Sequence, residues 1–180
     1  MIILGIDPGL QKTGWGIIQS EGSYLRYIAS GLIKPHTSLE MGARLATLHE
    51  GLVAVIKQYS PATAAIEETF VNKNPASALK LGQARGALMA VPALYGLDLG
   101  EYASNKVKKS IVGAGHADKN QMGVMIKMLL PSCGQISEDE ADALAVAITH
   151  AHYRKGYGAG TPAPTLQKVT NEKKKTIISV

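Results

Sequence analysis

The 180-residue chain has a single cysteine, Cys133, a single tryptophan, Trp15, and a single phenylalanine, Phe70. A lone cysteine excludes an internal disulfide and a cysteine-built zinc site, and it fits a reduced, cytoplasmic setting. No apolar stretch reaches membrane-spanning length without a glycine or a charge interrupting it. No charged segment precedes the first apolar run, so a signal peptide is not expected. There is no internal repeat. Acidic residues are in the minority, 14 against 19 lysines and arginines, giving a net charge of +5 and a pI near 9.3. Such a balance favours an acidic partner, although an indifferent basic surface has the same composition. The length suits one domain with a sizeable core.

The run Ile2–Ile6 is continuous and apolar, the mark of a buried central strand, and Asp7-Pro8-Gly9 breaks it. Residues 13–18 and 24–28 read as two further strands with Glu21-Gly22-Ser23 as their turn, so the chain opens as an antiparallel meander. Ser38 is expected to cap a helix whose Met41, Leu45, Leu48, Leu52, Val55 and Ile56 share one face, and Ser60-Pro61 stops it. Residues 63–67 form a short strand. Asn74-Pro75 opens a second helix, rich in small residues, and residues 97–102 form a fifth strand. Ser104 is expected to cap a short helix carrying Lys106, Lys108 and Lys109. Capping boxes at Asp118/Gln121 and Ser137/Glu140 open two more. After about Gly156 the chain turns Gly/Pro/Thr-rich and then basic, and is expected to be a disordered tail. Residues 1–155 are thus expected to form one α/β domain, a five-stranded mixed sheet flanked by helices.

Four acidic residues lie at three separated points of this pattern. Asp7 and Glu67 end apolar strands; Asp139 and Asp142 are one helical turn apart. Open α/β sheets build sites at the carboxyl ends of their strands. Carboxylates converging there are ligands for hard divalent cations, and two such ions about 4 Å apart can drive phosphodiester hydrolysis. Each residue also has a simpler reading. Asp7 before Pro-Gly suits a turn, and Asp139 suits a helix N-terminus. Glu68 rivals Glu67; strand alternation sends the two to opposite faces, so one should be a surface residue, and spacing cannot choose between them. A strand, an aspartate and a glycine turn also open the sugar-kinase and actin-type ATPase folds, but those need a second related domain. His150 and His152 diverge on a helix and do not make a metal pair. His116 lies in a glycine loop and has no required role.

The stretches Ile3-Leu4-Gly5-Ile6-Asp7-Pro8-Gly9, Ala65-Ile66-Glu67, Ser77-Ala78-Leu79-Lys80-Leu81-Gly82-Gln83-Ala84-Arg85-Gly86 and Glu140-Ala141-Asp142-Ala143-Leu144-Ala145 resemble the RuvC family of Holliday-junction resolvases. The resemblance runs from residue 1 to about residue 154. It implies a ribonuclease-H-like fold, a homodimer in the bacterial cytoplasm, coupling to the RuvA–RuvB branch-migration complex, and paired symmetric nicks that leave 5′-phosphate and 3′-hydroxyl ends. It implies Mg2+, two ions per subunit with Mn2+ as a substitute, on Asp7, Glu67, Asp139 and Asp142, and so favours Glu67 over Glu68. Some relatives have histidine where Asp139 stands. The family's base-stacking phenylalanine falls on Phe70, and its functional lysines on Lys108 and Lys119, the latter a catalytic residue. Lys73, Lys80, Arg85, Lys106 and Lys109 are candidate phosphate contacts. The alternative is a non-catalytic scaffold that binds the junction.

Overall fold

The computed structural model describes residues 1–69, 74–113 and 119–156, with Lys119, Asn120, Lys155 and Gly156 described as backbone only. Phe70, Lys73, His116, Asp118 and the expected tail lie outside the described residues. The central strand β1, Ile2–Asp7, is apolar on both faces because helices cover both. It pairs antiparallel with β2, Thr13–Glu21, which pairs antiparallel with β3, Tyr24–Ile33. Both strands run further than their apolar patterns predict, and Gly22, at φ 56°, makes the turn. On its other edge β1 pairs parallel with β4, Thr63–Glu67, and β4 pairs parallel with β5, Asp98–Tyr102. The order is β3-β2-β1-β4-β5, the expected five-stranded mixed sheet.

Two helices cover one face, α1 at Met41–Tyr59 and α2 at Pro75–Leu94. They pack Leu48, Leu52 and Leu88 against Leu4, Ile6, Ile17 and Ile66. Each such side chain contributes about 1.5–3 kcal/mol when fully buried. The opposite face carries α3 at Ser104–Val112, α4 at Lys119–Leu129, a short 3-10 turn at Pro131–Cys133, and α5 at Glu138–Gly156. Ile3, Ile18 and Ala65 pack there against Leu144 and Ile148.

Helix starts test the expected caps. Asn74 Oδ1 accepts from the N–H groups of Ala76 and Ser77, as Asn74-Pro75 predicts. Ser137 and Glu140 close the expected box: Ser137 N–H and hydroxyl donate to Glu140 at 2.9 and 2.7 Å. Burial alone would raise the Glu140 carboxyl, but these bonds and one from Ser30 hold it below its usual range. Two expected caps are corrected. Glu40, not Ser38, precedes α1, and Ser38 hydrogen-bonds His36 instead. Ala103 precedes α3, and the Ser104 hydroxyl turns away from the helix to donate to Glu67.

α5 lies on the sheet at backbone distance. A Cβ on Gly5 would sit 2.0 Å from the Ala143 carbonyl oxygen, and one on Gly14 2.1 Å from that of Asp139. One on Gly16 would sit 2.7 Å from Leu144. Gly5 and Gly16 face each other across the β1–β2 ladder, so the glycines form a trough along which α5 lies.

Further along α5, His150 is buried between β4 and Tyr102. Thr63, whose hydroxyl donates to the Asp98 carbonyl at 3.0 Å, can only accept from His150 Nε2 at 2.9 Å. Tyr102 then donates to Nδ1 at 2.9 Å, so one neutral tautomer satisfies the chain. Burial, then the Arg154 charge, pushes His150 down to about 4, with Asp98 opposing. The unfolded chain therefore takes up a proton between about pH 6.5 and 4 that the folded protein does not. The His150 contribution is fully present above pH 6.5 and lost as pH falls through that window. Urea unfolding of wild type and His150→Gln is expected to show the wild type losing ground to the variant as pH drops from 7 to 4.5; a constant difference would contradict a neutral buried ring.

Candidate functional site

β1 and β4 are parallel neighbours with Ile6 paired to Ile66, so Asp7 and Glu67 end side by side. Alternation sets their faces. Ile3 and Gly5 lie under α5, so Asp7 points that way too; Thr63 and Ala65 lie under α5, so Glu67 follows. The glycine trough lays the first turns of α5 over this end of the sheet, bringing Asp142 in from above. Asp7, Glu67 and Asp142 line one cavity of about 320 Å3 together with Pro8, Glu68, Thr69, Leu81 and Ser104. Glu68 is thus not a plain surface residue: it is half-buried at the rim of the same cavity, its N–H bonded to the Tyr102 carbonyl at 2.9 Å.

The cavity is electrostatically strained. Burial, then the charge of Asp142, pushes the Glu67 carboxyl up to about 7, and Lys108 pulls it back. Lys108 is therefore within electrostatic reach of the site. Two groups hold Glu67 in place. The Ser104 hydroxyl donates to its carboxylate, and Arg85 Nε donates to its backbone carbonyl at 3.0 Å while the same guanidinium pairs with Glu101. Arg85, a candidate phosphate contact by sequence, thus has partners inside the protein.

Asp139 stands beside the other three but faces a second cavity, of about 490 Å3, which shares the Leu81 wall. Its Oδ2 meets Lys12 Nζ at 2.5 Å. That hydrogen bond and the Asp139 charge raise the Lys12 pKa, with smaller contributions from Glu138 and Asp7. Among the described residues, no three carboxylate, imidazole or thiol groups are drawn together closely enough to hold one metal ion. The acids surround a space rather than closing on it.

The remaining candidates divide. Lys80 is exposed and lines the second cavity. Lys106 lies over the rings of Tyr153 and Tyr102, 4.1 and 5.0 Å from their centroids. Lys109 is exposed on α3. Lys119 is the first residue of α4. His152 hydrogen-bonds Ser110 and His150 is buried, so the two imidazoles do diverge. Sequence reasoning missed Lys12, Arg44 and Ser104 as neighbours of the acids. The short reach of Lys12 from Asp7 across one turn was the available signal.

A five-stranded mixed sheet, with acids ending its central parallel strands and a third acid on the helix across them, defines a nuclease of the ribonuclease-H-like class. Residues 3–150 match the family model described as "Crossover junction endodeoxyribonuclease RuvC", and the chain belongs to that family. Crossover junction endodeoxyribonuclease RuvC of Bradyrhizobium sp. (strain ORS 278) is 55% identical over 154 residues, 86% of this chain and 88% of that protein. The protein of the same description from Paramagnetospirillum magneticum is 58% identical over 154 residues, 86% and 93% of the two chains. The structure titled "T. thermophilus RuvC in complex with Holliday junction substrate" superposes with a TM-score of 0.81 at 29% identity, covering 87% of this chain and 96% of that one. No described helix is long and apolar enough to cross a membrane.

A carboxyl raised to about 7 is neutral in the folded protein where its unfolded counterpart is already charged. Stability from this group is therefore lost as pH rises from about 4.5 to 7. In EDTA, Glu67→Gln is expected to exceed wild type by on the order of 2 kcal/mol above pH 7, the gap closing toward pH 4.5. A pH-independent gap in urea midpoints would show that Glu67 is not held in a strained, acid-rich site.

Proposed function

We propose that the protein cuts four-way DNA junctions by metal-dependent phosphodiester hydrolysis, with Asp7, Glu67 and Asp142 as the central cation ligands and Asp139 completing the set. The observation that carries this is the one cavity that Asp7, Glu67 and Asp142 line together, with Glu68 at its rim and the Glu67 carboxyl pushed up to about 7 by its surroundings. All donors are oxygens, as hard cations require. Their mutual repulsion is what a bound cation relieves. Mg2+, or Mn2+ in its place, would supply there an activated water and charge neutralisation at the scissile phosphate. Water attacks phosphorus, the P–O3′ bond breaks, and the products are a 5′-phosphate and a 3′-hydroxyl that a ligase can rejoin.

The chain's own residues shape the reaction around that centre. Ser104 and Arg85 fix Glu67 from its two ends. Lys108 offsets part of the acid charge, and it can meet a phosphate that enters the cavity. Lys119, opening α4, is a further cation for the developing charge. Lys80 and Lys109 suit backbone phosphates. Phe70, three residues after Glu67 in the sequence, stacks on an unpaired base in this reading; such contacts are worth about 1–3 kcal/mol.

Paired symmetric nicks need two sites, hence two copies. The α2 face formed by Leu79, Gly82, Gly86, Ala90 and Leu94 supports this. Leu79 and Leu94 are 67% and 73% exposed, and an added Cβ on Gly82 or Gly86 would meet nothing within 4 Å. Helical spacing of small residues between exposed leucines lets a second backbone approach closely. Coupling to the RuvA–RuvB branch-migration complex belongs to the same reading.

With Mg2+, wild type is expected to nick a labelled four-way junction symmetrically and to spare linear duplex of the same sequence; EDTA abolishes nicking. Asp7→Asn should lower the nicking rate by at least about a thousandfold while junction binding survives. Binding without nicking in any divalent metal would instead favour a scaffold. Sedimentation equilibrium of Gly86→Asp should report a monomer where wild type is a dimer, and an unchanged dimer would remove α2 from the interface.

A further inference from the structure

The second cavity is lined by Lys12, Arg44, Ser77 and Lys80, with Asp139 the one acid. Lys12 and Asp139 pair, which leaves Arg44 and Lys80 as excess positive charge. Arg44 has five N–H donors by its chemistry, and among the described residues a single bond, from Nη2 to the Leu10 carbonyl at 3.0 Å, engages them. Its Nε is closed to solvent and has no hydrogen-bond partner among the described residues. Buried donors are rarely left this way. Arg44 sits in the first turn of α1 and Ser77 in the first turn of α2, so both helices start beside this space. Two cations beyond the Lys12–Asp139 pair and an unmet guanidinium donor describe a site for an anion.

We propose that this cavity binds a backbone phosphodiester of DNA beside the one that is cut, held by Arg44, Lys80 and Lys12. The assignment rests on the nuclease reading above. Leu81 lines both cavities, so they lie side by side. Asp139 then links them: its contact with Lys12 joins the acid side to the phosphate side. A phosphate in the second cavity would supply an acceptor for the Arg44 guanidinium and register the strand so that its neighbour enters the acid cavity.

The test is junction binding by wild type, Arg44→Gln, Lys12→Gln and Lys80→Gln, measured in EDTA as a function of salt. It is repeated with junctions carrying one neutral methylphosphonate at successive positions around the cut. Each variant should flatten the dependence of log Kd on log salt by about one. One methylphosphonate beside the cut should weaken wild type about tenfold and leave Arg44→Gln unaffected. The lysine variants, on exposed side chains, keep the test alive if Arg44→Gln fails to fold. Wild-type binding with no position silent in any variant overturns the inference and leaves the nuclease reading intact. Thermal stabilisation by inorganic phosphate that the variants lose, with the methylphosphonate pattern unchanged, overturns it in favour of a free-phosphate site. Wild type that binds neither junction nor duplex removes the nuclease reading and this inference together.

Discussion

The site depends on how closely α5 lies against the sheet. A helix normally packs on strands through side chains on both surfaces; here Gly5, Gly14 and Gly16 remove the strand side of that layer. The Ala143 and Asp139 carbonyls then rest where Cβ atoms would be. This close seating carries Asp142 to the level of Asp7 and Glu67. From Ala143 to Ala151 α5 is buried, so the contact is anchored along the helix by Leu144, Ala147 and Ile148 and further along by the His150 hydrogen-bond chain. Rigid seating suits a cation site, since ligands must hold their places before the ion arrives.

Two cavities of opposite character share this end of the fold. One gathers acids, and the strain there appears as a glutamate with its carboxyl pushed up to about 7. The other gathers cations from the loop after β1, from α1 and from α2. Asp139 stands at the boundary and is already matched by Lys12. Its partner lysine stands on the loop after β1, the strand that Asp7 ends. A basic cavity beside an acidic one also reconciles a +5 chain with acids gathered at one end of its sheet.

Much of this could be read in the chain. The apolar run before Asp7, the meander, the Asn74-Pro75 start and the Ser137/Glu140 box are local signals, and each appears where expected. Other features were not legible because they depend on which face a neighbour covers. Alternation separates Glu67 from Glu68 but cannot say which faces α5; that requires knowing that Thr63 and Ala65 lie beneath it. Ser104 resembles a cap because serine at a helix start usually is one, yet its hydroxyl finds a charged acceptor on another strand. Arg85 and Lys106 look like free cations in one dimension and are engaged by Glu101 and by two tyrosine rings in three. Arg44 belongs to the site only because α1 crosses the turn after β1.

The most direct test is anomalous diffraction from crystals grown with Mn2+. Manganese bound by Asp7, Glu67 and Asp142 in the cavity beneath α5 is the predicted result. Manganese bound elsewhere, with those three carboxylates unliganded, would contradict the assignment of this cavity as the catalytic centre.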